Sequence, residues 1–533
     1  MGISSNFWKK LKTYIKPQYY AAFLSAVLAG FIAHMPVFTK NLPVYDTFWN
    51  IYFNQDMITS GRQFLTFAAG PTSYYNLPWV NGVVSLVFLA LTAVLFTELF
   101  RIEKKSTAVL LGAMIATFPA VCGTFAFIYT ADGYMLAFLL ATLAVLFADR
   151  MKLGFIPGIF LLGFSIGVYQ AYFSVSILLM IFVLVKDLMK EDAKWKPFFL
   201  KCARFLGTIL GGYLFYVLSL KVMLALSHRA LSGYQGSDKV GGFPLGSLPV
   251  GLKSAFLDFK NFTFSGGIFT ENIWMKIAYV AFAAISLGVF VFLLIKNKAY
   301  KNIPKIFVIL LLLAAVPFAA SLICIISPDV LFHILMRMPW AVIFAFGLSL
   351  CDQLANYGCG TKEDSRERDA ERKDIKGSLK HITSAVGLLS AGILVFNFVL
   401  AANVVYFNLN ERYEKTYGLC LRIANRLEQT EGYKTGDQVA ILGGFPNQEI
   451  YPSTDITEKI TRGYHETEGD YCIESSEKYA EFMKHYLNVS IVPADFEKQL
   501  EVADTEEFRN MDYFPYDGCI EKINGVWVVK LNG

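Results

Sequence analysis

The sequence predicts an all-α polytopic membrane protein of about eleven transmembrane helices, followed by a small C-terminal α/β domain. Three observations carry this. Of 533 residues 55% are hydrophobic and only 17% charged, where soluble domains carry about 25% charge, and the mean hydropathy is +0.45. The apolar residues fall in runs of about 18 to 22, enough to cross a hydrocarbon core of roughly 30 Å as helix. The charge is also split: from Asn408 onward there are 23 acidic and 13 basic residues, against 20 acidic and 35 basic in the first 407. Opposite balances point to two environments. The basic excess sits between apolar runs, where membrane topology accounts for it, so no nucleic-acid partner is expected.

Lys9, Lys10, Lys12 and Lys16 precede a first apolar run that lacks a small-residue cleavage site, so no cleavable signal peptide is expected. The predicted spans are 19–38, 80–100, 107–129, 133–149, 154–170, 172–189, 205–226, 275–295, 305–327, 339–356 and 381–407. Alternate connections are rich in Lys and Arg: the N-terminus, Arg101 to Lys105, Arg150 with Lys152, 186–204, 296–305 and 362–380. The others are poor in them, 328–338 holding only Arg337. Short basic connections stay in the cytoplasm. The N-terminus is therefore expected inside a cell membrane, and an odd span count puts residues 408–533 outside it.

Two domains follow, 1–407 in the membrane and 408–533 extracytoplasmic. The tail opens on a helical pattern at 408–430, then shows apolar strand patterns at 439–443 and 526–529. The exterior connections 39–79 and 227–274 are long, and 360–378 reads as a solvated mixed-charge linker. Eight cysteines include no CxxC. Cys122, Cys202, Cys324 and Cys351 read as small buried hydrophobes, and a Cys472–Cys519 pair is left open for an oxidising compartment.

Ionisable groups at membrane depth are costly and so are functional candidates. Asp46 follows the first span among apolar and aromatic residues, Leu42 to Trp49. Such surroundings raise the basicity of a carboxylate, which suits a general base acting on a hydroxyl; the alternative is a helix N-cap. Asp56 and Gly61-Arg62 come next, Arg62 being able to hold a lipid phosphate bidentately or to anchor at the interface. Asp132 lies in a predicted exterior turn, either as a functional acid or as the N-cap of the next span. Tyr169 and Gln170 end the fifth span, where an amide binds a sugar hydroxyl or satisfies backbone at a kink. Arg337 precedes the tenth span, as a phosphate contact or a snorkelling anchor. His228, Arg229, Tyr234 and Lys239 are weaker candidates, and the lone His333 reads as a satisfied polar residue. There is no GxxxxGK loop, no GxGxxG before a helix, and no cytoplasmic domain to hold a nucleotide sugar. An enzyme of this build would draw its activated donor from a lipid, presented outside.

In order, an acid in the first exterior loop (Asp46), Gly61-Arg62 fifteen residues on, the acidic Asp132 and Tyr169-Gln170-Ala171 form a set. Over roughly residues 20–445 the chain resembles the O-antigen-modifying (Gtr-type) membrane glucosyltransferases of the GT-C superfamily. The resemblance implies a GT-C-like fold. It implies transfer of a sugar, usually glucose, from undecaprenyl phosphate to a growing or lipid-linked polysaccharide on the outer face of the cytoplasmic membrane. Asp46 matches the family's catalytic acid. The family often pairs acids there, whereas Tyr45-Asp46 offers one, so Asp56 or Asp132 would supply a second. Gly61-Arg62 matches its Gly-Arg, Asp132 and Tyr169-Gln170 match its acidic turn and Tyr-Gln element, and Arg337 matches a late basic residue that contacts phosphate.

On this reading Asp46 activates the acceptor, and Arg62 with Arg337 neutralises the departing polyprenyl phosphate. No metal-ligand cluster is evident and no cofactor is expected, although a divalent ion would help. The partners are the polyprenyl-phosphate donor, the glycan acceptor and membrane lipid, and the tail binds the acceptor or caps the site. The competing readings are a transporter or flippase of lipid-linked oligosaccharide, which would show inverted repeats and broken midplane helices, and a GT-C enzyme that glycosylates proteins.

Overall fold

The computed structural model describes residues 16–233, 245–265, 272–326, 331–356, 367–464 and 466–532. Tyr234, Lys239 and residues 360–366 of the 360–378 linker lie outside them. Contacts divide the chain into two compact units, Met1–Thr39 with Phe53–Asn403, and Lys40–Tyr52 with Val404–Gly533.

The first unit is helical. Among the described residues eight helices are long and apolar enough to cross a membrane, where about eleven spans are predicted. The other three predicted spans are the helices Phe155–Val168, Tyr172–Leu188 and Pro339–Asn356, of 14, 17 and 18 residues. One face of the 33-residue helix Trp195–Ser227 shows why water is the wrong solvent for this unit. Leu206, Leu210, Leu214 and Leu218, one turn apart, are each more than half exposed, while Phe205, Thr208, Gly212 and Tyr216 on the other face are buried. A continuous exposed leucine stripe is a lipid-facing surface. The chain is a helical membrane protein.

Small residues set how closely these helices approach. Ala22, Ala26 and Gly30, spaced by four, are buried along Pro17–Thr39. A Cβ on Gly112 of the helix Lys105–Thr117 would lie 2.2 Å from the Ala22 carbonyl oxygen. Only glycine allows that backbone contact, the usual way membrane helices gain dispersion energy. The predicted span 107–129 is broken at Phe118, which takes an extended ψ of 139° ahead of Pro119. The chain restarts as Pro119–Phe125 and then as Ile128–Arg150. The predicted connection 227–274 contains the helix Leu248–Ser265.

The helix Glu367–Gln429 runs without a break through the boundary at 403/404. In the second unit a four-stranded sheet has the order β2-β1-β4-β3, with β1 Gln438–Leu442, β2 Val492–Pro493, β3 Ile520–Ile523 and β4 Val526–Lys530. β1 is parallel to β2 and β4, with Val439 opposite Trp527, and β3 is antiparallel to β4. Alternate residues face opposite ways. Val439, Ile441, Trp527 and Val529 pack with Leu419, Ile423, Tyr479 and Phe482 on one side. Ala440, Val526 and Val528 pack with Val502, Phe508 and Met511 on the other. Phe48, from the segment 40–52, enters the first of these cores, its ring 5.7 Å from that of Phe482. Cys472 and Cys519 are both buried free thiols, not a disulfide.

Candidate functional site

The first unit gathers polar groups around the turn that carries Arg62. Gly61 closes the short turn Ile58–Ser60 with φ of 73°, a left-handed conformation that favours glycine. The turn is pinned from one helix, Trp195–Ser227, and from the break between two others. Gln170 Nε2 donates to the carbonyls of Ser60 and Gly61, each at 3.0 Å, and the Tyr216 hydroxyl donates to Gly61 O at 3.1 Å. Gln63 Nε2 donates to Tyr216 O at 3.1 Å, and Phe64 N donates to Gly167 O at 2.9 Å. Of the two readings of Gln170, the structure shows the amide bonded to backbone. Tyr169 begins the break between Phe155–Val168 and Tyr172–Leu188, and its ring stacks on that of Tyr134 at 4.2 Å. The Arg62 guanidinium lies over this pair, 5.4 Å from the Tyr169 ring, and donates to the Tyr134 hydroxyl at 2.9 Å. The aromatic pair thus helps to fix a half-buried cation.

A Cβ at position 61 would sit 2.8 Å from both Gln170 Nε2 and Tyr216 Oη. Gly61→Ala is therefore expected to lower stability by about 2 kcal/mol, from left-handed strain plus displacement of two hydrogen-bonding side chains. Thermal unfolding in detergent, against wild type, measures it.

Asp132 is not in an exterior turn and is not an N-cap. The helix begins at Ile128, after the turn Ala126-Phe127 that ends Pro119–Phe125, and Asp132 lies inside its first turns, 1% exposed. Its Oδ2 accepts from Thr72 Oγ1 at 2.8 Å, and Asn81 Nδ2 donates to Thr72 Oγ1 at 3.3 Å. Asp56 is engaged by Arg229, whose Nη1 donates to Oδ2 at 2.7 Å. Arg337 is held bidentately by Asp258, at 3.0 and 2.7 Å, and packed between the rings of Phe262 and Phe332. Ser321 Oγ also donates to Asp258 at 2.8 Å. His333 heads the turn Ile334–Met336, and His228 ends the helix Trp195–Ser227 with φ of 53°.

Asp46 belongs to the second unit. It occupies the N-cap position of the turn Thr47–Trp49, but its side chain makes no capping bond. The carboxylate, 47% exposed, has Lys478 Nζ at 4.0 Å. Lys478 is nearly buried, donates to Tyr45 O at 2.6 Å, and lies over the rings of Tyr45 and Trp49. Burial pulls its pKa down to about 8. Glu466 is the third charge here: burial first, then the Asp46 carboxylate, push its pKa up to about 7. Sequence reading missed Lys478 and Glu466, and neither has a local signature. They reach Asp46 only because the segment 40–52 packs into this unit.

These shifts set a pH profile for the fold. Glu466 favours the protonated form when folded, so its contribution is complete below about 4.5 and is lost as pH rises through about 7. Lys478 acts the other way: its buried charge destabilises the fold below about 8, and stability returns as pH rises toward 10.5. Glu466→Gln is expected to remove the fall in thermal stability between about pH 4.5 and 7. The gain at pH 7.5 is about 1–3 kcal/mol, read as unfolding temperature against pH.

Beside this cluster a cavity of about 530 Å³ is lined by Tyr45, Arg412, Phe445, Tyr451, Glu466 and Tyr471, among others. Among the described residues, no group of three or more His, Cys, Asp or Glu is placed to hold a metal ion.

The sequence model of the family described as Glucosyl transferase GtrII matches residues 35–346. No curated protein and no solved structure matches the chain. The matched stretch is more than half of the chain and takes in both Asp46 and the Arg62 turn with its pinning helices. The chain belongs to the GtrII glucosyl transferase family.

Proposed function

We propose that the chain moves a glucosyl residue from a polyprenyl-phosphate carrier to a cell-surface or lipid-linked polysaccharide at the outer face of the cytoplasmic membrane, within a GT-C-like architecture. The observation that carries this reading is the family match over the apolar helices. A family of glucosyl transferases built largely of lipid-facing helix is suited to a lipid-borne donor. The chain also has no GxxxxGK loop, which speaks against an ATP-driven transporter. The excess of Lys and Arg in alternate connections supports the outward placing of the second unit.

In this mechanism Asp46 accepts the proton of the acceptor hydroxyl as its oxygen bonds to the anomeric carbon. The bond from that carbon to the carrier phosphate breaks, and the polyprenyl phosphate departs with the electron pair. Negative charge grows on the phosphate, and a positioned cation stabilises it. We assign that part to Arg62, whose guanidinium lies over the rings of Tyr134 and Tyr169. Arg337, already satisfied by Asp258, acts as a positioning residue. Asp132 and Asp56 hold the first unit's loops, and Tyr169 and Gln170 hold Arg62.

The test is transfer by the full chain in detergent or nanodiscs, offered polyprenyl-phosphate glucose or a nucleotide-linked glucose. Labelled product from the lipid donor alone is expected. Product from the nucleotide donor alone removes the carrier from the reading. Movement of a lipid-linked oligosaccharide across sealed vesicles with no new glycosidic bond would favour a transporter.

A further inference from the structure

The cavity of the second unit lies where an α/β sheet presents ligands. β1 is flanked by parallel neighbours on both sides, and its carboxyl end runs through Gly443-Gly444 into Phe445, in the cavity wall. The crevice beyond the carboxyl ends of parallel strands is the usual binding position in such sheets. Here it is shaped by glycine: a Cβ at Gly443, whose φ is 100°, would lie 2.3 Å from Asn532 N. The Tyr479 hydroxyl fixes the next residue by donating to Gly444 O at 2.9 Å.

The lining has the chemistry of a sugar site. Phe445 and Tyr471 stack at 6.2 Å with their planes 22° apart, and Phe445 remains 41% exposed. Together they offer an apolar face to the C–H side of a pyranose ring. Tyr451 lines the wall, and its buried hydroxyl has no partner among the described residues. Arg412 is consumed by the wall itself, donating to the carbonyls of Glu466 and Tyr471. The lining also holds two exposed acids, Glu468 and Glu474, which accept hydrogen bonds from hydroxyls and repel anions. Tyr45 joins the cavity to Asp46, its chain neighbour.

We infer that this cavity is a carbohydrate subsite that seats a neutral glycosyl residue of the acceptor and excludes uronic or phosphorylated sugars. It rests on the glycan acceptor proposed above and deepens it: the second unit selects the acceptor and delivers its hydroxyl to Asp46.

The experiment is saturation-transfer NMR on the full chain in detergent. The probes are neutral trisaccharides of glucose, galactose, rhamnose and N-acetylglucosamine, with a glucuronic-acid trisaccharide beside them. At least one neutral probe is expected to bind and the uronate not to. Phe445→Ala should weaken that binding about tenfold, with Tyr451→Phe weakening it less, while Phe496→Ala, a solvent-exposed residue outside the cavity, leaves it unchanged. Unfolding temperatures confirm that the variants fold. No binding by any neutral probe, equal binding by Phe445→Ala, or preference for the uronate overturns the subsite. Because binding is read without turnover, failure of glucosyl transfer does not mimic failure of this site.

Discussion

Asp46→Asn is expected to lower the rate of glucosyl transfer about 10²–10⁴-fold, the range ordinarily supplied by a general base, with the protein folded and the donor still bound. Asn keeps the size and hydrogen-bonding shape of the side chain but cannot accept the acceptor's proton. The carboxylate is half exposed and makes no capping bond, so the fold loses little directly. What it does lose is the charge facing Lys478 at 4.0 Å. A nearly buried ammonium with one counter-charge fewer is held less firmly, and the effect on stability should stay below about 1 kcal/mol because Asp46 is open to solvent. Initial rates with polyprenyl-phosphate glucose, at saturating donor and varied acceptor, give the measurement. Asp56→Asn is the paired control. Asp56 sits in an exposed ion pair with Arg229, and its loss should leave the rate within about threefold of wild type, since such pairs contribute little. Wild-type turnover by Asp46→Asn would remove Asp46 from the chemistry. A collapse in Asp56→Asn with a normal Asp46→Asn would give the base role to Asp56 instead.

The sequence makes the spans legible because a hydrocarbon core demands one simple thing, an uninterrupted apolar run about twenty residues long. It makes partners illegible because they are set by packing. Arg337 reads as a lone cation in its loop, yet its counter-ion, Asp258, lies 79 residues earlier on a helix inside what reads as a connection. The one sign of that helix is an acid within an apolar, amphipathic stretch, Leu248 to Phe264. Asp132 reads as a turn residue because the apolar pattern before it runs on to Tyr129. The turn instead falls upstream, at Ala126-Phe127, so the same aspartate lies inside a helix. The apolar runs at 439–443 and 526–529 fall in β1 and β4. That 40–52 joins the same unit depends on Phe48 meeting Phe482, some 430 residues away, which no periodicity announces.

The largest effect on stability is expected from splitting the Arg337–Asp258 pair. Both side chains are mostly buried, 11% and 19% exposed. Arg337→Met leaves Asp258 with the hydrogen bond from the Ser321 hydroxyl but no counter-charge, and an uncompensated carboxylate in such a place costs about 3–5 kcal/mol. Arg337→Lys should recover only part of this. An ammonium keeps the charge but cannot form the two-pronged bond or lie flat between Phe262 and Phe332. The double variant Arg337→Met with Asp258→Leu should be more stable than Arg337→Met alone, since replacing both members of a buried pair with apolar groups removes the stranded charge. Thermal unfolding in detergent ranks the four proteins: wild type, the double variant and Arg337→Lys above Arg337→Met. The same series separates two roles for Arg337. If it positions the fold, stability falls in this order and activity falls with it. If it grips the carrier phosphate, Arg337→Met keeps the wild-type unfolding temperature and instead raises the KM for the lipid donor, and the double variant shows no rescue.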